Sequence, residues 1–509
     1  MAECEVRKID SNVAGLSFAK EECLKQLPAS IVWQEMEPNS YSDFGAEITT
    51  VQRETINASR QRQKGRMTDL DASGGFAVDV LKNNLSELLE GFFFADTREL
   101  PNTKPLNGTT INLTAVSAAD KQFKAASGLT RFTAGSLVLA SGFTKPLNNG
   151  MFLVTAVAAG AITVDGTVAD ETPTANSKVE VVGIQAAAAD INAVFTGGAF
   201  SLQSTDTDFT DTPAFYPGAW VFIGGDAATN KFANNTGYAR IKSVTASEIV
   251  FDDTTWSPVT ESGAGKSIRI FLCNSLRNET GALIKRKSFT FERTLGKDSD
   301  GVQAEYLRGA VCNELTINIP TADKISADAT FVGCDVDYRT GAQGLYAGTR
   351  LPVKSGDFFN TTSDVYRIKM AVHDATTTNP EALFGYVQEA SIAINNNATG
   401  NKAIGVLGNF EITVGDFEVS GSVTAYFSTV EAVRAIRNNA DVGFSVIKAF
   451  DNYGIVWDQP LISLGGGRIN VTKDDPITIP LDTTAAQSDY GHTLYYGYFP
   501  YLPDAAMPQ

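Results

Sequence analysis

The chain has 509 residues, of which 43% are hydrophobic and 19% charged, and its formal net charge is −17. This composition is typical of folded proteins and excludes wholesale disorder, while the length predicts more than one domain. A chain this acidic repels nucleic acid over most of its surface, so a general nucleic-acid-binding role is excluded.

The cysteines and the N-terminus both indicate a polypeptide made in a cytoplasm. An odd number of cysteines without a CxxC pair favours reduced thiols; they are Cys4, Cys23, Cys273, Cys312 and Cys334. The N-terminus lacks the charged-then-apolar design of a signal peptide, and no run reaches the ~20 apolar residues of a membrane span. We therefore expect no membrane insertion.

The first hundred residues combine strands, a basic cluster and a helix. Residues 1–30 are predicted as an irregular arm with a short helical piece, and 42–56 as a strand. A basic cluster follows, consisting of Arg53, Arg60, Arg62, Lys64 and Arg66. In so acidic a chain it favours contact with acidic groups of a partner, with nucleic-acid binding as the alternative. A strand at 74–80 then leads into a helix with Asn84 as its N-cap and Gly91 as its stop.

Residues 105–275 contain an internal repeat. The segment 148–165 aligns without gaps on 235–252, so that Gly150 matches Gly237. Each copy predicts roughly five short strands with Gly and Asn turns. We expect two tandem small β-barrels or sandwiches, at 105–188 and 189–275, which are peripheral and fold separately.

The remaining sequence alternates apolar and polar residues in short segments. Strands are predicted at 288–294, 313–320, 328–334, 390–396, 417–427 and 476–482, with a short helix at 429–439. Strands and a helix on both sides of the insertion predict one discontinuous domain, 31–104 plus 276–500, with a tail at 501–509. The predicted fold class is mainly β: a sandwich or barrel with short helices, plus two inserted β-domains.

The sequence contains no recognisable catalytic constellation, and we expect neither an enzyme nor a bound cofactor or metal. GAGKS at 263–267 lacks the first glycine of a phosphate-binding loop and runs into a strand, which favours a β-turn. His373 and His492 have no zinc-ligand spacing. The aspartates of STDTDFTD (Asp206, Asp208 and Asp211) favour a polar loop over a weak calcium site.

Two stretches carry a family resemblance. RQRQKG, the GGF strand and the helix NLSELLEGFFF resemble the first half of the major tail tube proteins of long-tailed, siphovirus-type bacteriophages. FEITVGDFEVSGSVTAYFSTVEAVRAIRNN resembles the late strand–turn–strand–helix unit of that family, and the match covers roughly 30–100 and 280–485. The duplicated insertion departs from the minimal pattern and resembles the extra outer domains of some tail tubes.

The resemblance implies a β-sandwich subunit that assembles into stacked, hexameric rings. Their lumen would hold the tape-measure protein and later conduct double-stranded DNA into the host. The implied partners are other copies of the chain, the tape-measure protein, the tail terminator and distal tail proteins. The implied location is the virion tail, assembled in the bacterial cytoplasm, with weak host-surface contact at most through the inserted modules.

The resemblance also implies roles for two sets of residues. Arg60, Arg62, Lys64 and Arg66 are expected to contact an adjacent subunit or ring. The polar sides of two strands are expected to face the lumen, through Glu314, Thr316, Glu418, Ser420, Ser422 and Thr424.

Two other classes of function stay open on the sequence. One is a viral or cell-surface carbohydrate-binding adhesin, in which Trp220 and Tyr238 would be the candidate sugar-stacking residues. The other is an all-β glycosidase, for which the many carboxylates offer no preferred pair.

Overall fold

The structure is a computed structural model that describes residues 14–56, 58–298, 301–354, 356–373 and 377–508. Positions 1–13 of the predicted arm, including Cys4, lie outside the described residues. The described chain is mainly β, as the alternating sequence predicts, with two α-helices, α1 (Ser86–Phe93) and α2 (Glu431–Arg437). Neither helix has the length and apolar character needed to cross a bilayer.

The strands are numbered in chain order. Four precede the repeat: β1 (Gly15–Lys20), β2 (Val32–Met36), β3 (Ser40–Val51) and β4 (Arg66–Asp79). Twelve form the repeat: β5 (Leu113–Ser117), β6 (Gln122–Ala125), β7 (Ser136–Ser141), β8 (Gly150–Ala158), β9 (Ala161–Val164), β10 (Lys178–Gln185), β11 (Ile191–Thr196), β12 (Ala199–Ser204), β13 (Trp220–Ile223), β14 (Gly237–Val244), β15 (Glu248–Thr254) and β16 (Arg269–Phe271). Fifteen follow: β17 (Asn274–Arg277), β18 (Phe289–Asp298), β19 (Gly301–Ile319), β20 (Ser326–Gly333), β21 (Asp335–Gly341), β22 (Thr349–Leu351), β23 (Val365–Val372), β24 (Val387–Asn395), β25 (Thr399–Asn401), β26 (Glu411–Thr413), β27 (Glu418–Tyr426), β28 (Val442–Phe450), β29 (Tyr453–Gly466), β30 (Thr478–Ala485) and β31 (Tyr495–Phe499).

The chain folds as two compact units. The first contains the described residues up to Ala95, together with Thr280–Thr361 and Gln388–Val423. The second contains Asp96–Glu279, Thr362–Val387 and Thr424–Gln509. The repeat therefore lies within the second unit, and the domain boundaries predicted from the sequence stay a prediction.

The first unit is organised around β19, a strand of 19 residues that takes part in two sheets. Its first half pairs with β18 and β21, and its second half pairs with β20 and β24. Gly309 lies where the partners change, with a φ of 62°. A Cβ on this residue would lie 2.9 Å from the Cys334 side chain. Glycine is needed here because both the left-handed backbone and the close approach disfavour a larger residue.

The two sheets of the first unit enclose an aromatic core. One sheet runs β22–β2–β1–β18–β19–β21 and the other β3–β4–β20–β19–β24. The ring centroids of Phe291 and Phe331 lie 4.5 Å apart, and Phe76 stacks 5.7 Å from Phe331. Helix α1 adds Phe92, 5.6 Å from Phe331. This arrangement is a β-sandwich.

Strand β1 corrects the prediction of an irregular N-terminal arm. Residues 15–20 pair on one side with β18 and on the other with β2, so β1 is an interior strand of its sheet. Leu16 and Phe18 are buried there. A strand of six residues whose partners are distant in sequence has too little local pattern to be recognised alone.

Helix α1 begins and ends differently from the prediction. Its N-cap is Leu85, since the Asn84 side chain is engaged with the backbone of Leu81 and Asp79. The helix continues through Gly91 and ends with Phe94 in the left-handed conformation, φ 47°. A Cβ on Gly91 would lie 2.6 Å from Sγ of Cys312, so this glycine permits close packing and does not stop the helix.

The two copies of the internal repeat fold into the same succession of strands. Each copy has six strands, where the sequence predicts roughly five. The twelve strands form one sheet in the order β11–β12–β15–β14–β13–β16–β10–β7–β8–β9–β6–β5. Each strand of the first copy, β5–β10, corresponds in turn to a strand of the second copy, β11–β16, and corresponding strands lie at equal distances from the centre of the sheet. The two copies meet at this centre, where β10 pairs antiparallel with β16. The aligned glycines Gly150 and Gly237 both have positive φ, 135° and 149°.

Equivalent buried asparagines organise the loops of the two copies. Asn148 donates from Nδ2 to Glu171, at 2.7 Å, and Asn235 donates from Nδ2 to Glu261, at 3.2 Å. Each glutamate also accepts two backbone N–H bonds. Partial burial raises the pKa of Glu261, but the bonds from Lys266 and the backbone outweigh it and bring the pKa to about 2.

The repeat shares an apolar core with the last strands of the second unit. Trp220, Tyr238 and Phe271 of the repeat belong to the same buried cluster as Val456 and Phe499. The C-terminal segment joins this cluster too, and the Tyr238 hydroxyl donates to the Ala506 carbonyl at 3.0 Å. Within the second unit the repeat is therefore packed against β29 and β31 and does not stand alone.

Candidate assembly surfaces

The second sheet of the first unit has one apolar and one polar side, because side chains alternate along each strand. On β19, Leu315, Ile317 and Ile319 are buried, whereas Glu314 is exposed and Thr316 is half-buried. This alternation is the one that the sequence predicts for the strand.

Strand β27 has the same pattern. Val419, Val423 and Ala425 are buried. The predicted polar residues lie on its opposite side, where Glu418, Ser420 and Ser422 are exposed and Thr424 is half-buried. The six residues expected to face a lumen therefore all lie on the solvent sides of their strands, and their role in a lumen stays a prediction.

Pairing and hydrogen bonds make the polar side of the sheet continuous within the first unit. Glu314 lies opposite Asn395 of β24, whose Nδ2 donates to Oε1 at 3.4 Å. The hydroxyls of Ser391 on β24 and Ser422 on β27 are 3.0 Å apart, and the Ser422 N–H donates to the same Ser391 oxygen. These contacts connect the two strands on which the sequence predicts lumen residues.

The sheet adds carboxylates that the sequence pattern alone does not place on this side. Asp328 on β20 accepts from Asn318 at 2.7 Å, and Asp79 on β4 lies at the end of the same side. Within the first unit, the exposed and half-buried positions on this side of the paired strands include no lysine or arginine; they are Ser73, Ala77, Asp79, Glu314, Thr316, Asn318, Ser326, Asp328, Thr330, Val332, Glu389, Ser391, Ala393, Asn395, Glu418, Ser420 and Ser422. Lys324, beyond the end of β20, is paired with Asp79 at 2.9 Å. We call these positions the polar face.

The basic cluster lies at the end of a long hairpin formed by β3 and β4. Every described residue from 47 to 69 is exposed except Gly65 and Asp69, which are half-buried. We call residues 47–69 the arm. Because both sides of this two-stranded ribbon are in solvent, the sandwich does not cover it.

The basic side chains of the arm have no partner within the described chain. Arg53, Arg60, Arg62, Lys64 and Arg66 form no ion pair or side-chain hydrogen bond with any described residue. Arg66 is the first residue of β4, so the cluster extends from the loop into the strand. From Arg53 to Arg66 there are five basic residues and one acidic residue, Glu54, a net charge of +4 that leaves −21 for the rest of the chain's total of −17.

The residues that would support the alternative functions are placed in structural roles. Trp220 and Tyr238 are completely buried, so they offer no exposed ring for a sugar. In the second copy, the Asp190 carboxylate caps the backbone of residues 205–207. No group of three or more His, Cys, Asp or Glu in the described ranges is arranged to hold a metal ion. At GAGKS, the Lys266 N–H donates to the Gly263 carbonyl, as the predicted β-turn requires.

Comparison with known proteins identifies the class of this β-protein. The sequence matches the phage tail tube protein family over residues 11–485, nearly the whole chain, and the chain belongs to that family. It is accordingly a structural component of a bacteriophage tail. A comparison with curated proteins finds no match.

Proposed function

We propose that the chain is the subunit of a tail tube that assembles as stacked, six-fold rings around a lumen lined by the polar face. The observation that carries the proposal is that this face, which spreads over β4, β20, β19, β24 and β27, contains no lysine or arginine. Small hydroxyl and amide side chains leave the bore open, and carboxylates repel DNA phosphates. The lumen would hold a tape-measure protein before it conducts double-stranded DNA.

The arm supplies the contact between copies in this proposal. Its basic side chains, which pair with no residue in the described ranges, need acidic partners, and the remainder of the chain has an excess of acidic groups. An arm that reaches from one subunit to an adjacent subunit or ring would pair these charges. Each exposed ion pair contributes only ~0–1 kcal/mol, but many repeats around and along a tube add together.

Charge reversal on the polar face tests the role in DNA passage. In Glu314→Lys combined with Glu418→Lys, both lysines would project from exposed positions, so folding and assembly should be preserved. The lysines would bind the passing phosphates, so phage carrying the variant should eject DNA more slowly, most strongly at low ionic strength. Ejection is measured by release of DNA triggered in vitro from purified phage at two salt concentrations.

A matched control separates position from net charge. Asp206→Lys combined with Asp211→Lys makes the same charge change at exposed positions of the second repeat copy. This control should eject DNA at the normal rate. Normal ejection by the Glu314/Glu418 variant, or equal slowing in both variants, would refute the proposed lumen. If the purified protein forms no rings or tubes by negative-stain microscopy, the tube itself is refuted.

A further inference from the structure

The loop between β25 and β26 presents apolar side chains to solvent. Residues 402–410, which we call the 402–410 loop, include Ile404, whose relative exposure is 107%. Val406, Leu407 and Phe410 are each more than 40% exposed. Contiguous exposed apolar side chains of this kind mark surfaces that another molecule covers, whereas single ones need no explanation.

The loop is held in place at both ends by the first unit. Lys402 forms ion pairs with Asp69 and Asp71 of β4, and the hydrogen bonds that its ammonium donates to these two carboxylates raise the lysine pKa. At the other end, Gly408 has a φ of 79°, and a Cβ there would lie 2.5 Å from the Cys334 carbonyl oxygen. The apolar side chains therefore project from an anchored backbone.

The same contacts place the loop beside the base of the arm. Asp69 and Asp71 are opposite Thr49 and Glu47 in the β3–β4 ladder, where the arm begins. The arm has exposed apolar side chains of its own, including Ile56 with a relative exposure of 108%, and Ile48, Val51 and Met67. A two-stranded ribbon exposed on both sides is marginally stable alone, so a partner that covers it would also order it.

We infer that the 402–410 loop and the apolar side chains of the arm form one docking surface for a second copy of this chain. The inference deepens the proposed function and rests on it. Charge complementarity selects the occupant: the arm segment from Arg53 to Arg66 carries +4 and the rest of the chain −21, so another copy offers the acidic surroundings that the arm lacks. The loop supplies the apolar part of the contact, which salt does not screen.

Assembly of the purified full-length chain tests the inference with no other tail protein present. Ile404→Asp places a charge where the contact would exclude water, so the protein concentration needed for assembly should rise by about tenfold or more. The conservative variant Ile404→Leu should assemble normally. Leu147→Asp, at a 59% exposed residue of the first repeat copy, is the matched control for an added surface carboxylate and should also assemble normally. Sedimentation measures the protein concentration at which assembly begins. Circular dichroism at concentrations below this value checks that each variant is folded.

The outcomes separate the inference from the function on which it rests. If the wild type forms tubes and Ile404→Asp forms them at the same concentration, the loop does not dock on a second copy and the inference is overturned. An equal effect of Leu147→Asp would overturn it too, because the effect would then reflect charge alone. If the wild type forms no tubes, both the inference and the proposed function are wrong.

Discussion

His492 is a single residue from which a pH dependence follows. It is completely buried, and neither ring nitrogen has a hydrogen-bond partner among the described residues. The rings of Tyr490 and Tyr495 lie 6.2 Å and 5.9 Å away. Burial, followed by the nearby charge of Arg277, lowers the pKa of His492 to about 3. The imidazole of His492 is therefore neutral in the folded second unit at neutral pH.

The sign of the effect follows from the two pKa values. The pKa of His492 is 6.5 in the unfolded chain, the ordinary value of histidine, and about 3 in the folded chain, so the unfolded state binds the proton more readily. The contribution of the neutral His492 to the free energy of unfolding is fully present above pH 6.5. The free energy of unfolding should then fall by ~1.4 kcal/mol per pH unit as the pH falls toward 3. Denaturant unfolding, followed by tryptophan fluorescence from pH 7 to 5, measures this slope.

Replacement by a ring that does not titrate provides the control. His492→Phe keeps an aromatic ring against Tyr490 and Tyr495, so its unfolding free energy should vary less over the same pH range. The pH window above 5 lies above the pKa values that Asp190 and Glu261 have in the unfolded chain, 3.8 and 4.5, so most of their contribution to the pH dependence falls below it. An identical slope in wild type and variant would show that His492 is not the source.

At the scale of elements, the arm is the one whose role depends most on charge. Arg62→Glu combined with Lys64→Glu should shorten or destabilise tubes, because both side chains would then repel the acidic surface they are proposed to meet. The defect should be largest at low salt, where these interactions are least screened. Tube length is measured by negative-stain microscopy over a salt series.

The control for the arm is the same charge change elsewhere. Lys121→Glu combined with Lys242→Glu alters two exposed lysines of the repeat and should leave tube length unchanged. Circular dichroism of both variants checks that the monomer folds. Normal tubes with the arm variant, together with reduced affinity for DNA, would favour the nucleic-acid alternative for the basic cluster.

Some elements could be predicted from the sequence because their pattern is local. The two-residue period of β19 and β27 places Glu314 and Glu418 on the solvent side without knowledge of any partner strand. The number of strands in the polar face could not be predicted, since Asp79 and Asp328 join it only through the pairing of β4 with β20. The role of Gly91 could not be predicted for the same reason: the close approach that requires a glycine comes from Cys312, over 200 residues away.

The exposure of the 402–410 loop could not be predicted from its amino-acid composition. The segment AIGVLGNF has the apolar content of a buried strand, and periodicity cannot distinguish a short buried strand from an exposed apolar loop. What determines its exposure is the anchoring of Lys402 to β4 and the close approach of Gly408 to Cys334. Both contacts join segments that are distant in sequence.

At the scale of the whole molecule, the repeat forms part of the buried core of the second unit. On the sequence alone, residues 105–275 should be replaceable by a short linker, because the repeat has its own internal pattern. Its strands β7, β10, β13, β14 and β16 nevertheless contribute to the buried cluster that includes β28, β29 and β31. Removal of the repeat would uncover the apolar side chains of those later strands.

Replacement of residues 105–275 by a Gly/Ser linker should therefore give a chain that aggregates. Ile447, Val456, Tyr495 and Phe499, all essentially inaccessible to solvent in the intact chain, would face water after the deletion. Burial of one such side chain contributes about 1.5–3 kcal/mol, so the loss of several approaches the total stability of a typical domain. The measurement is the soluble fraction after expression, with size-exclusion chromatography of whatever remains soluble.

A second deletion variant distinguishes loss of this core from loss of the repeat itself. If Ile447 and Val456 are replaced by Thr in the linker variant, the uncovered surface becomes less apolar while β28 and β29 retain residues that favour strands. Solubility should then recover in part. If the simple linker variant is already soluble and forms tubes, the repeat folds separately after all, and its packing against β28, β29 and β31 contributes little to the stability of the subunit.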